Sequence, residues 1–207
     1  MNIESKTVTG KRASNRASNR DAILAAARAV FAELGYGGAS VRDISRRTEL
    51  ATGTFYNYFS SKEDVFEALT QETGEELRAL LSRARKQADN FEQFIEASYL
   101  TYFTYYAENP ENYRLVRSNR GRDAGNLKMQ GPQVTAGLAE MRQDIERAMK
   151  LGMIPKSDVA LLTAAIGGVA FSILDEIMQH DPVDPNRAAK FASALFMQGL
   201  NGSLTDA

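Results

Sequence analysis

Thr52-Gly53-Thr54-Phe55-Tyr56-Asn57-Tyr58-Phe59 is the stretch on which the reading of this chain turns. At helical spacing Phe55 and Phe59 lie four residues apart on one side, where Phe31 and Ile44 can supply an apolar anchor. Thr52, Thr54, Tyr56, Asn57 and Tyr58 are then left to face outward as hydroxyl and amide groups, and Gly53 lets a partner approach the backbone. A short amphipathic helix with several aromatics and no Lys or Arg is an odd choice for a surface that only meets water.

The flanking residues give this helix its setting. Upstream, Ile23, Leu24, Ala27, Val30, Phe31 and Leu34 follow the 3.6-residue period until Gly35 stops the helix. Ser40 with Asp43 resembles a capping box for a short second helix carrying Val41 and Ile44. A tight break at Thr48-Glu49-Leu50 leads to the third helix, and Ser60-Ser61-Lys62-Glu63-Asp64 opens a fourth. Two short helices joined by a tight turn after a supporting helix read as a helix-turn-helix. In such readers the second short helix enters the major groove of DNA. Small polar side chains suit phosphate contact there, and Asn pairs with adenine in a bidentate fashion.

Charge is distributed unevenly. Residues 1–62 hold ten basic and five acidic side chains, a net +5, so the remainder carries −6 of a total of −1. A basic head on an acidic body is what a chain needs when one end meets phosphates, although an ordinary solvated surface produces the same sums. Residues 1–18 are polar and basic and read as a flexible arm. Within them and just beyond runs a small duplication, Arg12-Ala-Ser-Asn-Arg16-Ala-Ser-Asn-Arg20. As a helix it would set Arg12, Arg16 and Arg20 in a stripe; as an arm it would form a cationic tether. Either form places cations beside DNA.

The rest of the chain keeps the helical period, without any alternating strand pattern, so the expected fold is all-α. Hydrophobic residues make up 43% and charged residues 25%, ordinary for a globular protein. With no cysteine, disulfides and thiolate chemistry are excluded. The N-terminus has no apolar signal region, and no uninterrupted apolar stretch of membrane-spanning length is evident, so the expected location is cytoplasmic, with no membrane partner. The expected organisation is an arm over 1–18, a DNA-binding domain over 19–66 and a helical body over 67–207.

Asp21–Leu69 resembles the DNA-binding domain of the tetracycline-repressor (TetR/AcrR) family. The resemblance is carried by Ile23, Ala26, Phe31, Gly35, Ser40, Val41, Ile44, the stretch Thr52–Phe59, Lys62 and Glu63. Beyond residue 70 it is one of size and helical architecture. It implies base or groove contacts from Thr52, Gly53, Thr54, Asn57 and Tyr56, and phosphate contacts from Ser40, Arg42, Tyr58 and Lys62. Two departures stand out: Glu49 occupies a turn where the family often has glycine, and Tyr58 stands where many members carry His. An operator sequence therefore cannot be borrowed from a relative.

The resemblance further implies a homodimer on double-stranded operator DNA, paired through the last two long helices, with Ile166, Gly167, Val169, Ile173 and Leu174 facing Phe191, Leu195 and Phe196. A small hydrophobic effector, acyl or fatty-acid-like, would sit among Phe94, Tyr99, Tyr102, Phe103, Tyr106, Tyr113, Met141 and Ile145. An aromatic stripe at helical spacing is more often plain core. Repression relieved by the effector is the expected mode; activation, or regulation without a ligand, is the alternative within the family. An enzyme built on Asp175, Glu176 and His180, or an interaction module without a DNA target, is the alternative outside it. Neither a cofactor nor a metal is expected. The site assignment predicts that Asn57→Ala relaxes base preference at one operator position, whereas Lys62→Ala weakens binding to all sequences alike. Mobility-shift titration against a panel of singly substituted operators measures both effects, and unchanged affinity for both variants overturns the assignment.

Overall fold

A computed structural model describes residues 4–120 and 132–201, with side chains over 14–117 and 132–198. Every regular element among the described residues is an α-helix. They run α1 Glu4–Gly38, α2 Val41–Thr48, α3 Thr52–Phe55, α4 Lys62–Lys86, α5 Phe91–Glu108, α6 Pro110–Arg120, α7 Pro132–Lys150, α8 Val159–Ile177 and α9 Pro185–Asn201. The fold is all-α. The chain divides into two compact units, Met1–Glu72 with Glu111–Leu127, and Thr73–Pro110 with Lys128–Ala207.

The first unit closes around residues that the helical period selects. Ile23, Leu24, Ala27, Val30 and Phe31 of α1 bury one face against Ile44 of α2, Phe55, Phe59, and Val65, Phe66 and Leu69 of α4. Phe31 meets the Phe66 ring edge-on at 5.3 Å between centroids, a favoured aromatic geometry. This division differs from the expected boundary at 66/67: residues 67–72 fall in the first unit, and so does a second segment. Leu115 of α6 lies in this same core, and the Arg28 guanidinium donates to the Asn112 side-chain oxygen, so the α6 segment joins the first unit and not the helical body. Asn112, Tyr113 and Leu115 are buried there among charged and polar neighbours, too short a group to leave a periodic signal of that attachment.

Helix α1 begins at Glu4, so the arginine repeat lies within a helix where residues 1–18 were expected to form an arm. The run Ala25-Ala26-Ala27 favours helix, and propagation toward the N-terminus gains one hydrogen bond for each residue fixed. Gly35, at φ 67, kinks the far end of α1. The capping box expected at Ser40 is present: its side chain accepts from the Asp43 amide while the Asp43 carboxylate accepts from the Ser40 amide. Helix α3 is shorter than the expected span to Phe59. Beyond Phe55, Asn57 and Tyr58 donate to carbonyls three residues back, and Phe59 donates to Phe55, which keeps Phe59 on the core side.

In the second unit α5 packs on α9 and α8, and α7 packs on α8. The α4 segment of this unit is tied to α7 by ion pairs, Arg78 to Glu140 at 3.1 Å and Arg85 to Asp144 at 2.7 Å. The Arg85 side chain is only 3% exposed, and Glu140 also lies 3.9 Å from it, so two carboxylates compensate this buried charge. Gly74 permits the close approach of these helices, since a Cβ there would stand 2.5 Å from the Gln133 Cβ. One sequence expectation needs correction: Val159–Ile177, with a mean hydropathy of 1.7, is long and apolar enough, by length and composition, to cross a membrane. Small residues at Ala164, Ala165, Gly167, Gly168 and Ala170 dilute its bulk but not its apolarity.

Glu49 closes α2 in the left-handed conformation, at φ 59 and ψ 7. A side chain there costs roughly 1–2 kcal/mol, against about 0.5–1 kcal/mol for the extra freedom glycine has when unfolded. A carboxylate beside the negative end of α2 adds to the mismatch. Glu49→Gly is predicted to stabilise the protein by about 0.5–1 kcal/mol, read as a higher urea midpoint at unchanged slope; a lower midpoint contradicts the strain.

Candidate nucleic-acid interface

The surface around α3 is made by burying its aromatic anchors. Phe55 is 1% and Phe59 4% exposed, whereas Tyr56 is 56% exposed despite its ring lying edge-on to Phe55. Thr52, Gly53 and Asn57 are exposed with it; Thr54 and Tyr58 are half-buried. A Cβ on Gly53 would meet nothing within 4 Å, so the first turn of α3 is open to an approaching backbone. Ser40, Arg42 and Arg46 are exposed at α2. The segment thus presents hydroxyls, an amide and two guanidinium groups outward from an apolar underside, the pattern that positions a reader by phosphates and leaves side chains for base edges.

Four polar ties hold α2 and the α1–α2 connection in place. Arg47 makes two hydrogen bonds to the Glu33 carboxylate, both at 2.7 Å, joining α2 to α1. This contact holds the Glu33 carboxyl below its ordinary range. The Ser40 hydroxyl does the same for Asp43, and the Tyr36 hydroxyl for Glu63. The fourth tie is Lys62, whose ammonium donates to the Tyr36 and Ala39 carbonyls at 2.9 and 3.0 Å and lies 4.4 Å from the centre of the Tyr36 ring. Lys62 therefore spends its donors inward on the connection that leads into α2. Sequence reasoning missed Tyr36, Glu33 and Arg47, because pairing across 14 to 27 residues has no local pattern.

The arginine repeat falls out unequally. Arg20 pairs with Glu72 at 3.1 Å and lies 5.6 Å from the centre of the Phe59 ring. Arg16 is exposed. The Arg12 side chain lies outside the described residues.

In the second unit Phe94, Tyr99, Tyr102, Phe103 and Tyr106 are all buried on α5, and Ile145 is buried on α7 beside the half-buried Met141. Their rings meet one another and α8 and α9: Tyr99 stacks on Phe103 and Phe196, and Tyr102 meets Phe171 edge-on. The Tyr99 hydroxyl donates to the Ile166 carbonyl at 3.0 Å, and burial pushes its phenol well above the ordinary value. Tyr113 belongs to the first unit, so the eight residues grouped by sequence fall in both units. On α8, Ile166, Gly167 and Leu174 are buried within the protomer, while Val169 and Ile173 are half-buried. Phe191 is 60% and Leu195 50% exposed on α9, and Leu161 of α8, which sequence reading passed over, is 70% exposed. Phe196 is half-buried. His180 and Glu176 form an exposed pair at 3.2 Å, and among the described residues no cluster of three metal-ligating side chains accompanies them.

Known proteins resemble this chain in its N-terminal region and in its fold. The family model described as bacterial regulatory proteins, tetR family, matches residues 23–69. An uncharacterised HTH-type transcriptional regulator from Haemophilus influenzae is 29% identical over 110 residues, covering 53% of this chain. The match spans 54% of that relative, about half its length. Among solved structures, the fatty acid degradation regulator FadR from Bacillus halodurans superposes with a TM-score of 0.71 at 23% identity, over 90% of this chain and 96% of its own. The transcriptional regulator FadR from Bacillus subtilis, in complex with stearoyl-CoA, gives 0.71 at 20% identity, over 86% and 97%. At these identities the likeness is one of fold.

Because its ammonium is committed inward, Lys62 is predicted to act on stability as well as on any ligand. Lys62→Met should lower the thermal midpoint of the free protein by about 2–4 °C, the shift expected for the loss of about 1 kcal/mol in a chain of this size. An unchanged midpoint with weakened DNA binding would assign Lys62 to phosphate contact alone.

Proposed function

We propose, from the match of residues 23–69 to the tetR-family model of bacterial regulatory proteins, that the chain is a ligand-responsive transcriptional regulator that represses by occupying a palindromic operator. The observation that carries this reading is the exposed polar edge of α3, Thr52, Gly53, Tyr56 and Asn57, standing on the buried pair Phe55 and Phe59. Thr52, Thr54, Tyr56 and Asn57 read base edges, Gly53 admits the duplex backbone, and Ser40, Arg42 and Tyr58 bind phosphate. Lys62 holds the α1–α2 connection behind them.

The protein acts as a homodimer. Support comes from α8 and α9, where Leu161, Phe191 and Leu195 are uncovered and a Cβ on Gly168 would meet nothing within 4 Å. Only 28% of the apolar α8 window is buried in one protomer, more bare apolar surface than a lone soluble chain carries comfortably. Two-fold pairing through this face matches two half-sites about one turn, roughly 34–36 Å, apart. It shifts the expected contact residues on α8 from Ile166 and Leu174 to Leu161, Ala165 and Gly168. The protein works in the cytoplasm, where its operator is.

The effector is hydrophobic, of the long-chain acyl class, and binds within the aromatic body around Tyr99, Tyr102 and Tyr106. Its support is the apolar, tyrosine-rich interior of this body together with the fold shared with a regulator solved with stearoyl-CoA. Release from DNA follows if the effector binds the non-operator arrangement better, by a differential affinity that sets the extent of release. Genomic fragments selected by the purified protein, then titrated with and without stearoyl-CoA, test the proposal. Expected are an inverted repeat bound in a salt-sensitive way and a weakening of at least tenfold by the acyl-CoA. Enrichment of no sequence overturns the regulator reading; an inverted repeat indifferent to acyl-CoA overturns the effector class alone.

A further inference from the structure

The part of α1 that carries Arg16 and Arg20 and the end of the α3 segment face the same space. Arg16, Ala17 and Arg20 from α1 meet Asn57 and Tyr58 across an open cleft of about 450 Å³. Its walls carry two guanidinium groups, an amide and a phenol, and no carboxylate. The two arginines differ in what they already do. Arg20 is paired with Glu72 and packed over Phe59, so it builds the wall. Arg16 is exposed and, among the described residues, makes no ion pair, so its charge is available.

Position in the helix adds to the argument. The first core residue of α1 is Ile23, and residues 14–18 are exposed. This part of the helix is therefore built without burying an apolar face, from Ser14, Asn15, Ser18 and Asn19, which are middling helix formers. Arg16 and Arg20, four residues apart, set two cations along one side of it. A stretch with so little packing and so regular a charge is suited to something negative alongside it.

We propose that this cleft is a second DNA contact, in which Arg16 grips the sugar–phosphate backbone just outside each half-site while Asn57 and Tyr58 at its other wall engage the half-site itself. The inference rests on the operator-binding reading of α3 and extends it: the bound segment is longer than the recognition helix alone would cover, and the added contact carries charge but no base preference. Arg20 is a positioning residue in this arrangement, keeping the cleft wall against Phe59.

The test is Arg16→Gln, compared with the unaltered protein on the selected operator in two lengths, one trimmed to the half-sites and one with five added base pairs at each end. Arg16 is exposed, so the variant should fold, and its thermal midpoint checks that it does. On the long fragment the salt dependence, as the slope of log K against log[salt], should flatten by about 0.9 per half-site, equivalent to about an eightfold loss of affinity per half-site at 0.1 M salt. Every base substitution in the operator should keep its relative penalty. On the trimmed fragment the two proteins should bind alike. Equal slopes on the long fragment overturn the proposal while leaving α3 as the reader. A difference that persists on the trimmed fragment places Arg16 inside the half-site and overturns the flanking contact. Should the unaltered protein bind no operator, both readings fall together.

Discussion

The anchoring of two aromatic rings is the constraint on which the rest depends. Phe55 and Phe59 leave a segment of eight residues and bury themselves among Phe31, Ile44 and Phe66. Fully burying a side chain of this size is worth about 1.5–3 kcal/mol, far more than a four-residue helix can gain from its own hydrogen bonds. Helix α3 exists because its underside is held. What remains on top is then free to be polar, and Gly53 can be tolerated at a position where an unsupported helix would fray. The polar ties from Arg47 and Lys62 add little burial, but they fix how α2 and its entry loop sit beside those rings.

Much of this was legible in the residues. The period of Ile23, Leu24, Ala27, Val30 and Phe31 predicts the buried face of α1, Ser40 with Asp43 predicts the cap of α2, and the four-residue spacing of Phe55 and Phe59 predicts the anchors. What escaped has a common physical origin. Lys62 lies just where a phosphate ligand would be expected, yet its partners are backbone carbonyls of Tyr36 and Ala39, and backbone acceptors leave no mark in a sequence. The α6 segment joins the first unit with Asn112, Tyr113 and Leu115 buried among charged and polar neighbours, a group too short to show a period. Glu49 takes a conformation that glycine would adopt without strain, and only the backbone angles reveal it.

The helical body shows the limits of periodicity in a different way. An apolar stripe on α8 does not say which half of it is covered by its own chain. Ile166 and Leu174 turn inward, where the Ile166 carbonyl also receives the Tyr99 hydroxyl, while Leu161 is left outside. To a sequence pattern these three aliphatic side chains are chemically alike. The aromatic run on α5 is likewise read as core or as a ligand lining by the same spacing; in the structure its rings pack on one another and on Phe171 and Phe196.

The central claim is that the outward edge of α3 is the surface that meets DNA. Hydrogen–deuterium exchange of the protein, alone and saturated with its selected operator, tests this most directly. The account predicts new protection of amides at 40–43 and 52–58, with the buried amides around Phe31 and Phe66 unchanged. Protection confined to the second unit, with residues 52–58 exchanging as in the free protein, would contradict it.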